Sequence, residues 1–340
     1  MKILQIVNPV IPFPAVTVGG KERIVQYLID ELIARGHQVT LMGHDDSVVQ
    51  PGVNFIPIGT YLDQKRTNQK IWKHLLVNKY DVIHNHGRLI YFLPKVWSGT
   101  RKIHTFHMAE LESKSFRRFL ALRAKKLIFC PCAKWIKDKS AHLKGHWEFV
   151  QNGLPANLYR FHNREMPLDA PLVIIARIGL SKGILEAIQI AKKSKRKLII
   201  AGKIGDYPHE IEWFNNNLRD LCDGEKISFI GPVDDQQKET LLNSALALLI
   251  PTLDSEAFNT TMIEANACGC PVVSYNRFCF TEFIEHGING FKGNTVDELA
   301  DSINQLHLID RAKCREIFEQ KYTAAIMATN YLKLYVNQTI

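Results

Sequence analysis

LALLIPTLDSEAFNTTMIEANACGCPVVSY, residues 246–275, is the stretch that decides the fold of this chain. The apolar run LALLIPT predicts a strand, TTMIEANACG predicts a helix, and PVVSY predicts a second strand. This order of elements is typical of a parallel sheet with helices packed on its faces. Glu256 and Glu264 stand eight positions apart in the same stretch, which is otherwise mostly small, apolar or hydroxylated. Two carboxylates beside elements meant for burial indicate a role in binding or chemistry.

Strand and helix patterns alternate on both sides of this stretch. KILQIVNPV at the start predicts a buried strand, and GKERIVQYLIDELIARG predicts a helix with Ile24, Leu28 and Leu32 on one face. The alternation lapses over 154–171, which holds three prolines and no periodicity, and then restarts. We therefore predict an α/β chain of two doubly wound, Rossmann-like parallel-sheet domains. Ligands of such folds bind beyond the carboxyl ends of the strands, so we expect a site in a cleft between the halves.

The composition is that of an ordinary soluble globular protein, since 46% of the 340 residues are hydrophobic and 23% are charged. No apolar run of about 18 residues is present, and the start predicts a strand rather than a signal peptide. Seven cysteines, an odd number, indicate free thiols in a reducing cytosol, which favours a cytoplasmic location. CPC (130–132) and CGC (268–270) lack the spacing of zinc ligands, so we expect no metal site.

The net charge of +9 favours anionic partners. KSFRRFLALRAKK (114–126) alternates apolar and basic residues and predicts one amphipathic basic helix. Two interpretations of this helix stay open: peripheral contact with an anionic membrane at its inner face, or an ordinary exposed helix. Nucleic acid is not an expected partner, because no aromatic-and-glycine motif accompanies the charge.

Two segments at predicted strand ends precede helices and suit a phosphate. In ARIGLSKG (176–183), Arg177 and Lys182 flank a turn at the start of a helix, and the alternative is that both cations face water. Gly19 and Gly20 precede the first long helix, and the alternative there is a simple turn. The P-loop pattern is absent, and so is G-x-G-x-x-G, which disfavours a nicotinamide or flavin enzyme.

Glu264 has two interpretations. Thr261 to Glu264 fits the capping box T-x-x-E, in which the glutamate only satisfies an amide at the helix start. Glu256 lies before the helix, where no capping role is available, and amides around 259–261 would carry partial positive charge. A phosphate at that helix start, with hydroxyl-accepting carboxylates on either side, suits a sugar nucleotide.

SEAFNTTMIEANACGCPVVSY (255–275) resembles the E-x7-E region of retaining GT-B glycosyltransferases of family four. Further motifs of that family occur in the same order, and they are GGKER (19–23), DVIHNH (81–86), TFH (105–107), VQNG (150–153), ARIGLSKG (176–183), FIGPV (229–233) and FTEFIEHGINGF (280–291). The resemblance covers almost the whole chain. It implies an acceptor-side domain of residues 1–155, a nucleotide-sugar domain of 156–322, and a helix in 323–340 that returns to the first domain.

The resemblance also implies roles for single residues. Arg177 and Lys182 would hold the donor diphosphate and stabilise it as a leaving group, and Glu264 would accept the ribose hydroxyls. Glu256 would contact hydroxyls of the donor sugar. His107 would lie near that sugar, and the alternative is a hydrogen-bonded histidine in a strand-end loop. The other positions that would contact the donor are Gly19, Gly20, Val233, Asn259, Thr260 and Thr261.

The implied reaction moves a sugar from a nucleoside diphosphate sugar to an acceptor hydroxyl with retention of the anomeric configuration. The donor needs no metal or other cofactor, and a UDP-sugar is favoured over a GDP-sugar. The acceptor is a small molecule, a glycan or a lipid-linked sugar. Asn259 departs from the family, which usually has glycine there. The alternatives that stay open are an inactive sugar-nucleotide-binding protein and a GT-B epimerase or phosphorylase.

Overall fold

The computed structural model describes residues 1–15, 19–111, 113–167 and 169–336. The chain forms two compact units. Unit 1 consists of Met1–Pro155 and the segment that begins at Thr323, and unit 2 consists of Ala156–Tyr322. Each unit is built on one parallel sheet, so the predicted α/β class with two doubly wound halves is confirmed.

The described part of unit 1 contains seven strands. They are β1 (Lys2–Ile6), β2 (Gln38–Gly43), β3 (Val53–Pro57), β4 (Val82–Asn85), β5 (Arg101–Phe106), β6 (Leu127–Pro131) and β7 (His146–Trp147). All pair in parallel, in the order β3-β2-β1-β4-β5-β6-β7. The central strands β1 and β4 are buried almost throughout, as strands covered on both faces must be. Polar Gln5 and His84 lie inside these buried strands.

Five helices accompany this sheet among the described residues. They are α1 (Gly20–Ala34), α2 (Gln64–Val77), α3 (Lys114–Leu120), α4 (Lys134–Lys139) and α12 (Ala324–Tyr335). The predicted inner face of α1 is confirmed, because Ile24, Leu28 and Leu32 are all buried. α12 packs against α1 and β5.

The chain leaves unit 1 and re-enters it at neighbouring positions. Leu154 and Thr323 form an isolated parallel bridge, and the Ala324 amide donates to the Leu154 carbonyl at 2.7 Å. Gly153 allows this contact, because a Cβ there would lie 2.3 Å from the Thr323 carbonyl oxygen. The two segments of unit 1 are therefore joined by backbone contact where unit 2 is inserted.

The described part of unit 2 contains six strands. They are β8 (Leu172–Ile175), β9 (Leu198–Ala201), β10 (Ile227–Gly231), β11 (Ala247–Ile250), β12 (Val272–Tyr275) and β13 (Gly290–Gly293). All pair in parallel in the order β10-β9-β8-β11-β12-β13. The order reverses at β8 and β11, which lie side by side at the centre. A topological switch point of this kind is where such sheets bind ligands.

Seven helices accompany this second sheet in the described residues. They are α5 (Ile184–Lys193), α6 (Pro208–Asn217), α7 (Asp235–Ser244), α8 (Thr260–Ala267), α9 (Phe280–Phe283), α10 (Val296–Ile303) and α11 (Arg311–Lys321). The opening stretch, 246–275, forms β11, α8 and β12 as predicted. β11 and β12 pair directly, with Leu248 beside Val272.

The prediction of one amphipathic helix over 114–126 is wrong. α3 ends at Leu120, and Arg123 and Lys126 adopt left-handed backbone angles, with φ of 48° and 50°. The chain turns there because it must enter β6 at Leu127. The apolar face is also occupied, since Phe116 and Phe119 are buried in the core of unit 1. The basic side chains of α3 remain exposed, but its aromatic rings are not available to a membrane.

The seven cysteines have free thiols in the structure, and all but Cys222 are buried. Burial raises the pKa of Cys314 to about 12 and that of Cys270 above its usual value. Over the described ranges, no three histidine, cysteine or carboxylate side chains are grouped in a way that could hold a metal ion. No helix in those ranges combines the length and apolar character that crossing a membrane requires.

Candidate active site

The loops that follow β8 and β11 meet at the switch point of unit 2. The Leu253 amide and the Thr252 hydroxyl both donate to the Ser181 carbonyl, at 2.8 Å and 3.0 Å. Gly183 has a φ of 70°, and a Cβ there would lie 1.9 Å from the Pro251 carbonyl oxygen. Only glycine therefore allows these two loops to approach so closely at the start of α5.

Lys182 and Glu256, one from each of these loops, form an ion pair. Lys182 Nζ lies 2.8 Å from Glu256 Oε2, and both side chains are partly accessible to solvent. The sequence assigns the two residues to one site, and the structure brings them together. A cation and a carboxylate fixed side by side can contact a phosphate oxygen and a neighbouring hydroxyl of one ligand.

Arg177, the other predicted cation, is 58% exposed and pairs with Glu210 near the start of α6. Glu210 also accepts from the Tyr207 amide, and its carboxylate lies so close to Gly205 that an added Cβ there would require the glutamate side chain to move. Sequence reasoning missed Glu210, whose only signal is the proline-led helix start at 208–210. Because Glu210 is fixed and Arg177 is exposed, the arginine is the partner that can turn toward an anionic ligand.

The start of α8 decides between the two interpretations of Glu264. Its N-cap is Asn259, whose side-chain oxygen accepts from the Met262 amide at 3.1 Å. Thr261 is the second residue of the helix, so the alternative interpretation of Thr261 and Glu264 as a capping box is excluded. Thr260 and Thr261 belong to the first turn, whose amides lack carbonyl partners within a helix. They therefore remain candidate anion contacts.

Glu264 lies in the body of α8 and is buried. Its Oε2 lies 2.8 Å from Nζ of Lys238 on α7, and the two side chains are 6% and 12% exposed. Lys238 also lies 3.7 Å from Asp235 and 5.9 Å from the ring centroid of Tyr159. Sequence reasoning missed Lys238, because nothing in the 25 intervening residues links the two helices. Val233 is half-buried in the turn between β10 and α7, just before the start of α7.

The glycine pair of unit 1 forms the start of α1. Gly19 is its N-cap residue with a φ of 104°, and Gly20 is its first residue. A Cβ at Gly20 would meet no atom within 4 Å, so the helix start is open on that side. Lys21 Nζ lies 3.0 Å from the buried carboxylate of Glu22 in the same turn. Gly20 is exposed and Gly19 is partly exposed, which supports an anion contact at this helix start.

His107 follows β5 and lies on the wall of a cavity of about 700 Å³ within unit 1. Apolar side chains from Leu89 to Leu93 and from Phe116 to Leu122 form much of the lining. Arg88 and Arg118 add positive charge to it. Burial lowers the pKa of His107 to about 3, with Lys21 adding to the shift, so the ring is neutral near pH 7.

His107 is held by His86, the last residue of the DVIHNH motif, to which the sequence analysis assigns no separate role. Its Nε2 lies 3.0 Å from Nδ1 of His86, and Nε2 of His86 lies 2.9 Å from Oε1 of Gln5. Burial lowers the pKa of His86 well below its ordinary value. The signal was present, because DVIHNH and TFH end the neighbouring strands β4 and β5.

Two family models match the chain. The model described as "Glycosyl transferases group 1" matches residues 160–323, and the one described as "Glycosyltransferase Family 4" matches residues 18–154. Residues 160–322 of the first match lie in unit 2 and include Arg177, Lys182, Glu256 and Glu264. The second lies in unit 1 and contains His107.

A curated relative is the "O-antigen biosynthesis glycosyltransferase WclY" of Escherichia coli, with 30% identity over 172 residues. That match covers 48% of this chain and 45% of the relative. The chain thus spans about half the length of the curated relatives it matches.

Two solved structures resemble the whole chain. One is a glycosyltransferase from Rickettsia africae, with a TM-score of 0.79 and 18% identity over 99% of this chain and 98% of that one. The other is Alr3699/HepE of Anabaena in complex with UDP and glucose, with a TM-score of 0.76 and 17% identity over 98% of each chain. At these identities the likeness concerns the fold, and it confirms the predicted GT-B type.

Proposed function

The chain belongs to glycosyltransferase family four, and we propose that it transfers a sugar from a nucleoside diphosphate sugar to an acceptor hydroxyl. The anomeric configuration is retained, and the product belongs to glycan, lipopolysaccharide or glycoconjugate biosynthesis. The single observation that carries the proposal is the Lys182–Glu256 ion pair at 2.8 Å at the switch point of unit 2. The pair supports the proposal because a cation that can bind phosphate lies beside a carboxylate that can accept hydrogen bonds from hydroxyls.

Charge stabilisation and positioning account for catalysis in this proposal. Lys182 and Arg177 bind the diphosphate and stabilise the negative charge that grows on it as the glycosidic bond breaks. Because the ion pair with Lys182 holds the Glu256 carboxylate beside the diphosphate site, Glu256 accepts hydrogen bonds from the sugar hydroxyls and orients the sugar. The acceptor hydroxyl then attacks the face that the diphosphate leaves, and the departing phosphate takes its proton. His107 contacts the transferred sugar.

The nucleoside is held farther along the same sheet edge. Glu264 accepts the ribose hydroxyls, and Lys238 holds its carboxylate in place. The backbone of Val233 meets the base, and the amides around Asn259, Thr260 and Thr261 meet the phosphates or the sugar. We propose a UDP-sugar as donor, because Alr3699/HepE, which has the same fold, is described in complex with UDP and glucose.

The acceptor is a small molecule, a glycan or a lipid-linked sugar. The cavity beside His107, with apolar walls and two arginines, supports an acceptor that carries both apolar and anionic groups. Peripheral contact of residues 114–126 with an anionic membrane would act through the exposed Arg117, Arg118 and Lys114. Its aromatic residues are buried, so this contact is electrostatic and salt-dependent.

The test is release of nucleoside diphosphate from a panel of sugar nucleotides, with and without candidate acceptors. Arg177→Ala and Lys182→Ala should each lower turnover, because each removes a charge-assisted contact worth about 1.5–3 kcal/mol. Lys193→Ala is the matched control, since it removes an exposed lysine that pairs with Asp297. Equal turnover in all three variants and the wild type would reject the diphosphate site.

The same assay separates the alternative functions. Binding of the donor without turnover would indicate an inactive sugar-nucleotide-binding protein. An altered sugar nucleotide without nucleotide release would indicate an epimerase, and dependence on inorganic phosphate would indicate a phosphorylase. Turnover should survive excess EDTA, because Arg177 and Lys182 supply the positive charge. A rate lost with EDTA and restored by Mn²⁺ would contradict this mechanism.

A further inference from the structure

A chain of hydrogen bonds runs through the core of unit 1 and ends at His107. It joins the side chains of Tyr331, Thr105, His84, Tyr335, Gln5, His86 and His107 by successive contacts of 2.6–3.2 Å. Most of these side chains are buried, and they come from β1, β4, β5, the residues that directly follow β4 and β5, and α12. Buried polar groups are costly unless they are fully paired, so a continuous chain of this length has a specific purpose.

We propose that Gln5 and His86 are positioning residues that hold His107 in its Nε2–H tautomer, so that its Nδ1 accepts a hydrogen bond from a hydroxyl of the transferred sugar. This inference rests on the proposed function. It goes beyond that function by assigning the direction of the contact at His107 and the residues that set it.

The direction follows from Gln5. Its amide nitrogen donates to the Tyr335 hydroxyl at 3.2 Å, which leaves its amide oxygen facing Nε2 of His86 at 2.9 Å. An amide oxygen only accepts, so Nε2 of His86 must carry the proton. A neutral imidazole carries one ring proton, so Nδ1 of His86 has a lone pair.

The same reasoning applies to the imidazole ring of His107. Nδ1 of His86 accepts, so the proton in its 3.0 Å contact with His107 lies on Nε2 of His107. Nδ1 of His107 then carries a lone pair. His107 lies on the wall of the cavity of about 700 Å³, where this lone pair is suited to a hydroxyl donor.

Neutral rings are a condition of this assignment. Burial lowers the pKa of His86 well below its ordinary value, and the neighbouring His84, His107, Lys21 and His104 lower it further. The pKa of His107 falls to about 3 for the same reason, with contributions from Lys21 and His104. Each ring therefore has a single proton whose position the chain of contacts can fix.

The other end of the chain is anchored on α12. The Tyr335 hydroxyl accepts from Gln5 and lies 2.6 Å from Nδ1 of His84, to which it donates. Nε2 of His84 then donates to the Thr105 hydroxyl at 2.8 Å. In this assignment each group between His107 and Tyr331 donates one hydrogen bond and accepts one, so a single orientation runs through the whole chain from the cavity to α12.

A pair of His86 variants tests the proposal. Asparagine places an amide oxygen where Nδ1 of histidine lies, and glutamine places its amide near the position of Nε2. His86→Asn should keep the contact to His107 and retain turnover within about threefold. His86→Gln should lose it and lower kcat on the order of tenfold to a hundredfold, as misplaced groups do. Equal kcat values for the two variants would overturn the proposal.

Two further measurements separate orientation from loss of structure. The Kd for nucleoside diphosphate should be the same for both variants and the wild type, because that ligand lacks the sugar. In wild-type protein labelled with ¹⁵N-histidine, Nδ1 of His107 should give the resonance of an unprotonated nitrogen, assigned by its loss in His107→Gln. A protonated Nδ1 would overturn the proposal even if the variants failed to fold.

These readouts distinguish this inference from the proposed function. A wild-type protein without turnover on any sugar nucleotide would reject the function, whatever the tautomer of His107. Normal turnover with a protonated Nδ1 would reject only the inference. Gln5→Met, which removes the amide oxygen, should release the tautomer and mix the two nitrogen signals in the same spectrum.

Discussion

Glu264 lies 2.8 Å from Lys238 with both side chains largely buried, whereas Glu256 shares a partly accessible loop with Lys182. Two carboxylates of one short stretch therefore have different surroundings. Neutralising Glu264 leaves a buried cation short of its partner, while neutralising Glu256 leaves a cation that water can reach. Replacing Glu264 should therefore affect mainly the stability of the fold, whereas replacing Glu256 should affect mainly the turnover rate.

Glu264→Gln should lower the free energy of unfolding by about 1–3 kcal/mol and weaken binding of the donor, because Lys238 loses its charged acceptor. The measurement is denaturant unfolding together with the Kd of UDP. Glu285→Gln is the control, since it breaks an exposed pair with Lys321 and should cost less than about 1 kcal/mol. Equal stability of the two variants would contradict the buried pair.

Glu256→Gln should leave the unfolding free energy and the Kd of UDP close to wild type. Its loss should fall on kcat with a UDP-sugar, because the carboxylate meets the reacting sugar rather than the nucleoside. A variant with wild-type kcat would remove Glu256 from the sugar contact. The spacing of the two glutamates in sequence indicated one site, but not that their partners come from α7 and from the β8 loop.

The helices and strands show which features of the fold can be predicted from hydrophobic periodicity. Strands and helices follow the predicted alternation because a buried parallel strand and an amphipathic helix each have their own period. The prediction of one helix over residues 114–126 was wrong because periodicity does not indicate where a chain must turn back into a sheet. The start of α8 at Thr260 agrees with the predicted helix, although both Asn259 and Thr261 suit an N-cap and only the loop geometry selects Asn259.

Asn259→Ala should destabilise unit 2 by about 1 kcal/mol, because it removes the acceptor for the Met262 amide. Asn259→Asp keeps that acceptor and should lie within about 0.5 kcal/mol of wild type. Thermal unfolding of both proteins provides the measurement. If Thr261→Ala proved the more damaging change, the cap at Asn259 would be incorrect.

Gly183→Ala should disrupt the meeting of the β8 and β11 loops, since its Cβ would collide with the Pro251 carbonyl. Gly224→Ala is a matched control, because Gly224 has a similar φ of 79° but open space around its Cβ. The control should cost only the strain of a left-handed alanine, about 1–2 kcal/mol. A Gly183→Ala protein as stable and active as the control would show that the loops separate freely.

On the scale of the whole molecule, the core of unit 1 contains several buried histidines that are neutral. Burial lowers the pKa of His104 and His107 to about 3, and it lowers those of His84 and His86 well below the ordinary value. The unfolded chain binds protons at these sites from about pH 6.5 downward, while the folded unit does not. The contribution of these neutral histidines to folding stability is therefore complete above pH 6.5, and it is lost as the pH falls toward 3.

Denaturant midpoints at pH 7.5, 6.0 and 5.0 check this dependence. The free energy of unfolding should fall by about 1.4 kcal/mol per pH unit for each histidine that titrates only in the unfolded chain. Carboxylates stay largely ionised over this window, so they contribute little. A midpoint that rises or stays constant between pH 6.5 and 5.0 would contradict the burial of these rings.

The backbone bridge between Leu154 and Thr323 has a consequence for how the protein is made on the ribosome. The first segment of unit 1 emerges early, but α12, which carries Tyr331 and Tyr335, emerges only after all of unit 2. At ordinary elongation rates this interval is roughly 10–30 s. During it the nascent sheet presents uncovered Gln5 and His84 next to apolar surface. The newborn chain should therefore depend on chaperones at this stage, while unit 2 closes from a continuous segment.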